Sequence, residues 1–462
     1  MSDQTSDGEN PVRRGWDIER YRIHPSGDGA GHDGAPPEQA FVPPAGSRHP
    51  TNPTYATDSW VLFWTALSMS VLSIATLGIY RFWMVTRLRR HYWSGIQIMG
   101  DPLEYTGRGI EKMLGFLLAI VFLAVYLGLI NLGLTFIGFS YAGDDPVTAN
   151  LLINLSVIAT VPLIFFAQYR ATRYMLSRTR WRGIRFGMEA ASWGYMFRAI
   201  LLSILTLVTL GLAYPYQQFK LAQYMTNRSW FGTIKFEQEG SWIELFASWI
   251  WIYIMLFFIA LAVWTMRSAD SASDGTSILL AVIISIISTV VLYLTFLRYR
   301  FHAFRVLWSN RKLGGSRFDS EFNTSEAVKI FITGSVAISL TSSMVFSIAT
   351  IAMAVIFAGT LSGEDAPQLN LGTPSSGWDF ILLMMEQWPV LLGFALTYLF
   401  VIALVFALSQ VLFTNRLLHR KVSTLSISNA RLLTLSQQRD KDNAVEAGGF
   451  ADALGVDVGA GF

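Results

Sequence analysis

Apolar residues in this chain gather into long unbroken runs, not into the short alternations or narrow helical stripes of a water-soluble domain. Six runs are strong: Met113–Phe139, Leu151–Ala167, Trp242–Thr265, Ser277–Leu297, Ile330–Ala358 and Pro389–Phe413. A helix needs about 20 such residues to cross roughly 30 Å of hydrocarbon, so each run predicts a membrane-spanning helix. Two further apolar stretches, Trp60–Tyr80 and Trp193–Tyr214, share a pattern, LSIATLGIYRFW in the first and LTLVTLGLAYPY in the second.

The polar segments between the runs are of two kinds. Residues 81–112 carry Arg81, Arg87, Arg89, Arg90, Arg108 and Lys112, and residues 168–192 carry Arg170, Arg173, Arg178, Arg180, Arg182 and Arg185. Residues 298–328 and the segment after Phe413 are also rich in Arg and Lys. By contrast, 140–150 and 361–378 hold acidic residues and no Lys or Arg, and 266–276 sets Arg267 against Asp270 and Asp274. Basic residues beside spans stay on the cytoplasmic side. Eight crossings cannot satisfy that rule, because at least one Arg-rich segment then falls outside. Six crossings in three hairpins satisfy it everywhere, with both termini cytoplasmic. The two TLG stretches are then re-entrant or interfacial helices, and eight spans result only if these two cross as well. Irregular backbone at membrane depth is tolerated where protein or a water-filled cavity surrounds it.

Composition supports the membrane reading: the chain of 462 residues is 52% hydrophobic and only 15% charged. Residues 1–57 lack an apolar run, so no cleavable signal peptide is expected, and their Gly, Pro, Asp and His content predicts a disordered tail. Residues 434–462 predict a second tail, which leaves 58–433 as the membrane domain. There is no Cys and there are six His, three of them in the first tail. Thiolate chemistry is thereby excluded, no metal site or cofactor is expected, and no nucleophile elbow, phosphate loop or zinc-protease motif is present. The chain therefore reads as non-enzymatic.

Four polar segments repeat one theme: HYWSGIQIMGDPLEYTG, RYMLSRTRWRGIRFGMEAAS, QYMTNRSWFGTIKFEQEGS and VLWSNRKLGGSRFDSEFNTS. Each runs from a helix extension through a Gly turn and a short β-leaning piece. They predict short strands or hairpins that cap the cytoplasmic ends of the helices and pair with one another. The expected fold is an all-α polytopic membrane protein with small β-like caps.

TLGIYRFWMVTRLRRHYW (76–93), EYTGRGIEKMLGFLLAIVFL (104–123) and FRAILLSILTLVTLGLAYPYQQFKLAQYMTNRSWFGTIKFE (197–237) closely resemble the signatures of the bacterial DUF898 family of YjgN-like proteins. The resemblance covers about Trp60 to Leu433. Where the family tends to have Pro-Trp this chain has Pro215-Tyr216, which keeps an aromatic ring but not an indole N–H. The resemblance implies a multi-pass bacterial inner-membrane protein, and it carries no catalytic or binding residues with it.

The residues left as candidates belong to the TLG motifs. Thr76 and Thr209 can bond freed carbonyls, Gly78 and Gly211 can end a helix in the left-handed region, and Pro215 prevents continuation. Tyr80, Trp83 and Tyr214 suit the headgroup level, and Arg87 and Arg90 suit anionic lipid heads. Two broken helices can frame a solute or ion site, or can simply anchor the chain. Glu386 sits just ahead of the final apolar run and Arg198 inside the second TLG stretch, and ionisable groups at membrane depth are costly and often functional. The Arg clusters predict contact with the bilayer through anionic headgroups, and nothing predicts nucleic-acid binding. Two functions remain open. One is a transporter- or channel-like protein for a small solute, ion or lipid. The other is a non-transporting membrane scaffold or envelope-associated interaction protein.

Overall fold

The computed structural model describes residues 51–141, 154–268, 275–361 and 388–439. Most of these residues are helical. Six helical stretches are long and apolar enough to cross a membrane: Gly109–Gly138, Asn154–Ser177, Ile243–Trp264, Val282–Ser309, Thr324–Val355 and Leu391–Ser423. They coincide with the six strong apolar runs. The two TLG stretches form shorter apolar helices of 17 residues each, Ser59–Ala75 and Ser192–Val208.

The described residues form five helical hairpins, each lying between two paired strands. The first joins α1 (Ser59–Ala75) to α2 (Arg81–Gly95) and lies between β1 (Thr54–Tyr55) and β2 (Ile96–Ile98). The second, α3 (Gly109–Tyr141) and α4 (Val161–Ser177), lies between β3 (Asp101–Tyr105) and β4 (Thr179–Trp181). The third, α5 (Ser192–Val208) and α6 (Tyr214–Thr226), lies between β5 (Ile184–Met188) and β6 (Ser229–Phe231). The fourth, α7 (Ile243–Ser268) and α8 (Gly275–Ser309), lies between β7 (Ile234–Gln238) and β8 (Arg311–Leu313). The fifth runs from β9 (Ser316–Ser320) through α9 (Thr324–Leu361) and α10 (Trp388–Ser409). It continues through a π-helical turn, Gln410–Asn415, into α11 (Arg416–Ser423) and β10 (Leu425–Ser428).

The strands form one antiparallel sheet in chain order, β1 to β10. The four repeated segments are β-hairpins of one design: a three-residue strand, a two-residue turn and a five-residue strand. In the first two, Met99-Gly100 and Arg182-Gly183 both take positive φ, the twist that suits a tight hairpin. The sheet ends also meet. Thr51 and Ile427 exchange backbone hydrogen bonds of 3.0 Å in both directions, which joins the start of the sheet to β10. Thr51 and Ile427, far apart in the chain, thus supply a further pairing that no single continuous segment provides.

Side chains on the sheet gather into an aromatic core. Trp181, Phe231, Leu313, Phe318 and Ile427 are buried together with Phe304 and Trp308 of α8 and with Phe322, which follows β9. The 3₁₀ turn Ala430–Leu435 adds Ala430 and Leu433 to this core. Beyond it, Ser436 is buried and its Oγ donates to the Phe231 carbonyl at 2.8 Å. Residues placed in the tails by composition therefore carry structure at both boundaries: Thr54–Tyr55 form β1, and Ser436 packs on the sheet. Residues 1–50 and 440–462, the acidic segments 144–145 and 364–365, and Glu386 lie outside the described residues.

Candidate functional site

Each TLG motif is a helix reversal, and the two are built alike. In the first, Thr76 Oγ1 donates to the Leu72 carbonyl at 2.8 Å and accepts from the Tyr80 N–H at 3.0 Å. In the second, Thr209 Oγ1 donates to Leu205 at 2.8 Å and accepts from Ala213 at 3.1 Å. A single hydroxyl thus ends one helix and starts the next. The residues after it turn the chain: Leu77 and Gly78 have φ of 50° and 90°, and Leu210 and Gly211 have 52° and 94°. Gly takes this left-handed region without a side-chain penalty, and Leu does not, so each turn holds one strained residue at its tip. Leu77 and Leu210 are 96% and 85% exposed, so each tip presents a bare apolar side chain.

The surroundings of the two motifs differ. Tyr80 stacks near Trp83 with ring centroids 6.0 Å apart. Arg87 reaches the Met69 sulfur at 3.9 Å, and Arg90 donates to the Gly107 carbonyl at 2.9 Å, which ties α2 to the segment after β3. In the second motif the Gly211 carbonyl accepts from Trp249 Nε1 at 3.1 Å, and the Leu210 carbonyl accepts from the Tyr253 hydroxyl at 2.7 Å. Tyr214 stacks on Trp249 at 4.6 Å, and Pro215 is buried at the start of α6. Among the described residues no hydrogen bond, ion pair or ring contact joins one motif to the other. They occupy separate hairpins with separate partners.

Much of the basic charge has local work. Arg178 pairs with Glu111 at 2.9 Å and Arg182 with Asp101 at 2.5 Å. Arg198 lies over the Tyr224 ring, 4.7 Å from its centre, on the sheet side of α5. Lys312 pairs with Glu239.

A cavity of about 500 Å³ opens beside the second motif. Three helices give it one stripe each. Tyr214, Gln217, Gln218, Leu221 and Met225 line it from α6, spaced as one helix face. Phe165, Gln168, Thr172 and Leu176 line it from α4, and Phe296, Arg300, Phe304 and Trp308 from α8. Ser229 and Arg311 close the end nearest the sheet. Among the described residues no Asp or Glu lines it.

The glutamines are held in place by hydroxyls. Tyr195 donates to Gln168 Oε1 at 3.1 Å, and Tyr299 donates to Gln218 Oε1 at 2.5 Å. Gln217 is used at both ends: Thr206 donates to its Oε1 at 2.7 Å, and its Nε2 donates to Ser203 Oγ at 2.7 Å. Arg311 donates to Gln238 Oε1 at 3.1 Å and lies over the Trp308 ring, 4.4 Å from its centre. Burial pushes the Arg311 guanidinium down to about 10, which still leaves it charged at neutral pH. Among the described residues no group of three His, Asp or Glu side chains gathers to hold a metal ion.

Sequence reasoning reached Tyr214 in this cavity and missed Gln168, Gln217, Gln218, Arg300 and Arg311. A signal was present. Tyr214, Gln217, Gln218 and Leu221 fall at the spacing of one helix face, and Phe296, Arg300 and Phe304 at another.

Comparison with known proteins places the chain. It is similar to the inner membrane protein YjgN of Salmonella typhimurium, with 27% identity over 153 residues, 30% of this chain. The match spans only about a third (35%) of that relative's length. No solved structure matches the chain. The family model described as bacterial protein of unknown function (DUF898) matches residues 67–371, which takes in both TLG motifs and all four β-hairpins. This chain of six bilayer-length helices and two short hairpins belongs to the DUF898 family.

Proposed function

We propose that this is a multi-pass inner-membrane protein that moves a small solute, an ion or a lipid, with the cavity beside α6 as its binding compartment. The observation that carries the reading is that cavity: amide and guanidinium groups, without a carboxylate, are held between two bilayer-length helices and a broken one. The name of the Salmonella relative supports the inner-membrane location. Among the described residues no arrangement calls for covalent catalysis, and we read the protein as non-enzymatic.

The same proposal carries a topology. Six spans form three hairpins, and α1–α2 and α5–α6 are re-entrant helices that dip into the bilayer from the cytoplasmic side. Both ends of every hairpin return to paired strands, which supports one side for all of them. A 17-residue helix is about 26 Å long, short of the hydrocarbon thickness. The Arg-rich hairpins support the cytoplasm as that side, with both termini there and anionic headgroups as the nearest partners.

Two experiments test this. The chain has no Cys, so a single introduced thiol reports alone. Thr233→Cys, in an exposed β-turn, is expected to label only from the cytoplasm, and Arg267→Cys, at the far end of α7, only from the periplasm. Leu210→Cys is expected to resist aqueous reagents from both sides. Labelling of Thr233→Cys from the periplasm would sink the topology. Flux in proteoliposomes, across a panel of ions, small solutes and labelled lipids, tests transport. No flux above protein-free vesicles for any of them would remove it.

The scaffold reading is favoured by a separate observation. At most 22% of the most apolar stretch of any of the six long helices is buried within the chain. A stoichiometric partner retained through purification, together with absent flux, would favour that reading.

A further inference from the structure

We propose that the cavity beside α6 is a binding site for an amphiphile with an anionic, acceptor-rich head, and that Arg300, Gln168 and Gln218 form the head subsite. This deepens the transport reading and rests on its choice of compartment.

The chemistry of the lining selects the ligand. Tyr195 and Tyr299 already occupy the side-chain oxygens of Gln168 and Gln218 with donated hydroxyl hydrogens. What those amides still offer is their N–H donors, which have no partner among the described residues. Arg300 lines the same space and has no carboxylate partner among the described residues. Arg311, at the sheet end, is already held by Gln238 and the Trp308 ring. A compartment with the Arg300 guanidinium, spare amide donors and, among the described residues, no carboxylate fits a ligand head that is negatively charged and rich in acceptor oxygens.

Position along the helices selects the body of the ligand. Gln168 directly follows the apolar run that ends at Ala167, and Arg300 follows the run that ends at Leu297 by one turn. The head subsite thus lies where two apolar runs give way to polar sequence, at headgroup level. On the bilayer side of it the cavity is lined by Phe165 and Phe296. On the sheet side it continues past Thr172, Phe304 and Trp308 to Ser229 and Arg311. A molecule seated in it meets apolar rings at one end and charge at the other, which matches a lipid and not a free anion.

The test uses the full chain purified in a neutral detergent. The probes are phosphatidylglycerol, phosphatidylcholine with the same acyl chains, and inorganic phosphate. Native mass spectrometry is expected to show one phosphatidylglycerol retained, with affinity about tenfold above phosphatidylcholine, the advantage of a charge-assisted hydrogen bond. Arg300→Gln is expected to remove most of that preference and Arg300→Lys to keep most of it, while Arg267→Gln, outside the cavity, changes nothing. A second readout leaves the cationic residues intact. Ser229→Cys places the only thiol at the sheet end of the cavity, and phosphatidylglycerol is expected to slow its reaction with maleimide while phosphatidylcholine does not. Equal retention of the two lipids, an Arg300→Gln chain that keeps the preference, or absent protection at position 229 would overturn the proposal. Protection by inorganic phosphate equal to that by phosphatidylglycerol would also overturn it, because the ligand would then be a free anion. Failure here is distinguishable from failure of the transport reading. Flux of a small solute without lipid retention removes this site alone, and lipid retention without flux removes transport alone.

Discussion

The two short hairpins share a backbone and differ in what they enclose. α1–α2 and α5–α6 each begin with a 17-residue helix, turn at a Thr-capped Leu-Gly and return to the strand next to the one they left. The first is closely packed. Leu62 and Ala66 of α1 are fully buried and share a core with Ala407 of α10. Its polar groups are paired directly: Tyr55 donates to Asn415 at 2.6 Å and Tyr92 to Gln410 at 2.8 Å, both in the π-helical turn. That turn widens the helix where those two amides reach across to the tyrosines. The second hairpin turns a face of α6 rich in glutamine toward α4 and α8, and space remains between them. One reversal device therefore serves as a strut in one place and as the wall of a compartment in another. Small residues on the facing helix close the first, and long amides and rings hold the second open.

The largest effect that separates the two should come from truncating a packing residue in each. Leu62→Ala removes a side chain fully buried among close neighbours, and is expected to cost about 2–5 kcal/mol. Leu221→Ala removes a side chain that already faces a cavity, and is expected to cost about half as much or less. Unfolding midpoints in a mixed-detergent titration would measure both. Equal losses would mean that the second hairpin is as tightly packed as the first, and the contrast would fall.

A smaller effect should sharpen the comparison at the turns. Gly78→Ala and Gly211→Ala both force a side chain into the left-handed region, at about 1–2 kcal/mol each. A methyl group at Gly78 meets open space, whereas at Gly211 it would lie 2.9 Å from the Tyr253 hydroxyl. That hydroxyl holds the Leu210 carbonyl, so Gly211→Ala is expected to cost more than Gly78→Ala. In a Tyr253→Phe background the excess should shrink. Additive losses in the double variant would show that the Tyr253 contact does not restrain this turn.

The membrane-spanning part of this fold was legible because it is local. A run such as Ser277–Leu297 declares itself by length alone, and the helix over it extends to Ser309 only because backbone hydrogen bonding continues through polar sequence. The left-handed turns were legible too, since TLG supplies the cap hydroxyl and the glycine together. The join of the sheet ends was not. It depends on Thr51, in a polar stretch without strand pattern, meeting Ile427 near the other end of the chain. The two residues of β1 are too few to show alternation. The cavity was half legible: its stripes are visible at helical spacing on α6 and α8, but a stripe does not say which helix it faces. Gln168 and Gln218 read as ordinary polar residues near helix ends until Tyr195 and Tyr299 are seen to hold their oxygens.

The smallest expected effect is one of pH, and it belongs to the first hairpin alone. His91 lies near the end of α2, its Nε2 2.6 Å from the Thr57 hydroxyl. Burial holds the imidazole below its usual range, and the Asp58 carboxylate offsets this only in part. A histidine kept neutral by burial contributes stability that is fully present above its unfolded value, about 6.5, and that is lost as pH falls from there through the lowered folded value. Residues 192–226, which form the second hairpin, contain no His. Amide exchange followed from pH 7.5 to 5, corrected for its intrinsic pH dependence, is therefore expected to show the base of α1–α2 loosening on the acid side while α5–α6 holds. His91→Gln should flatten the response of the first hairpin without touching the second. If both hairpins loosen together, the acid response arises in the sheet that carries them, and the two halves of the comparison are coupled there.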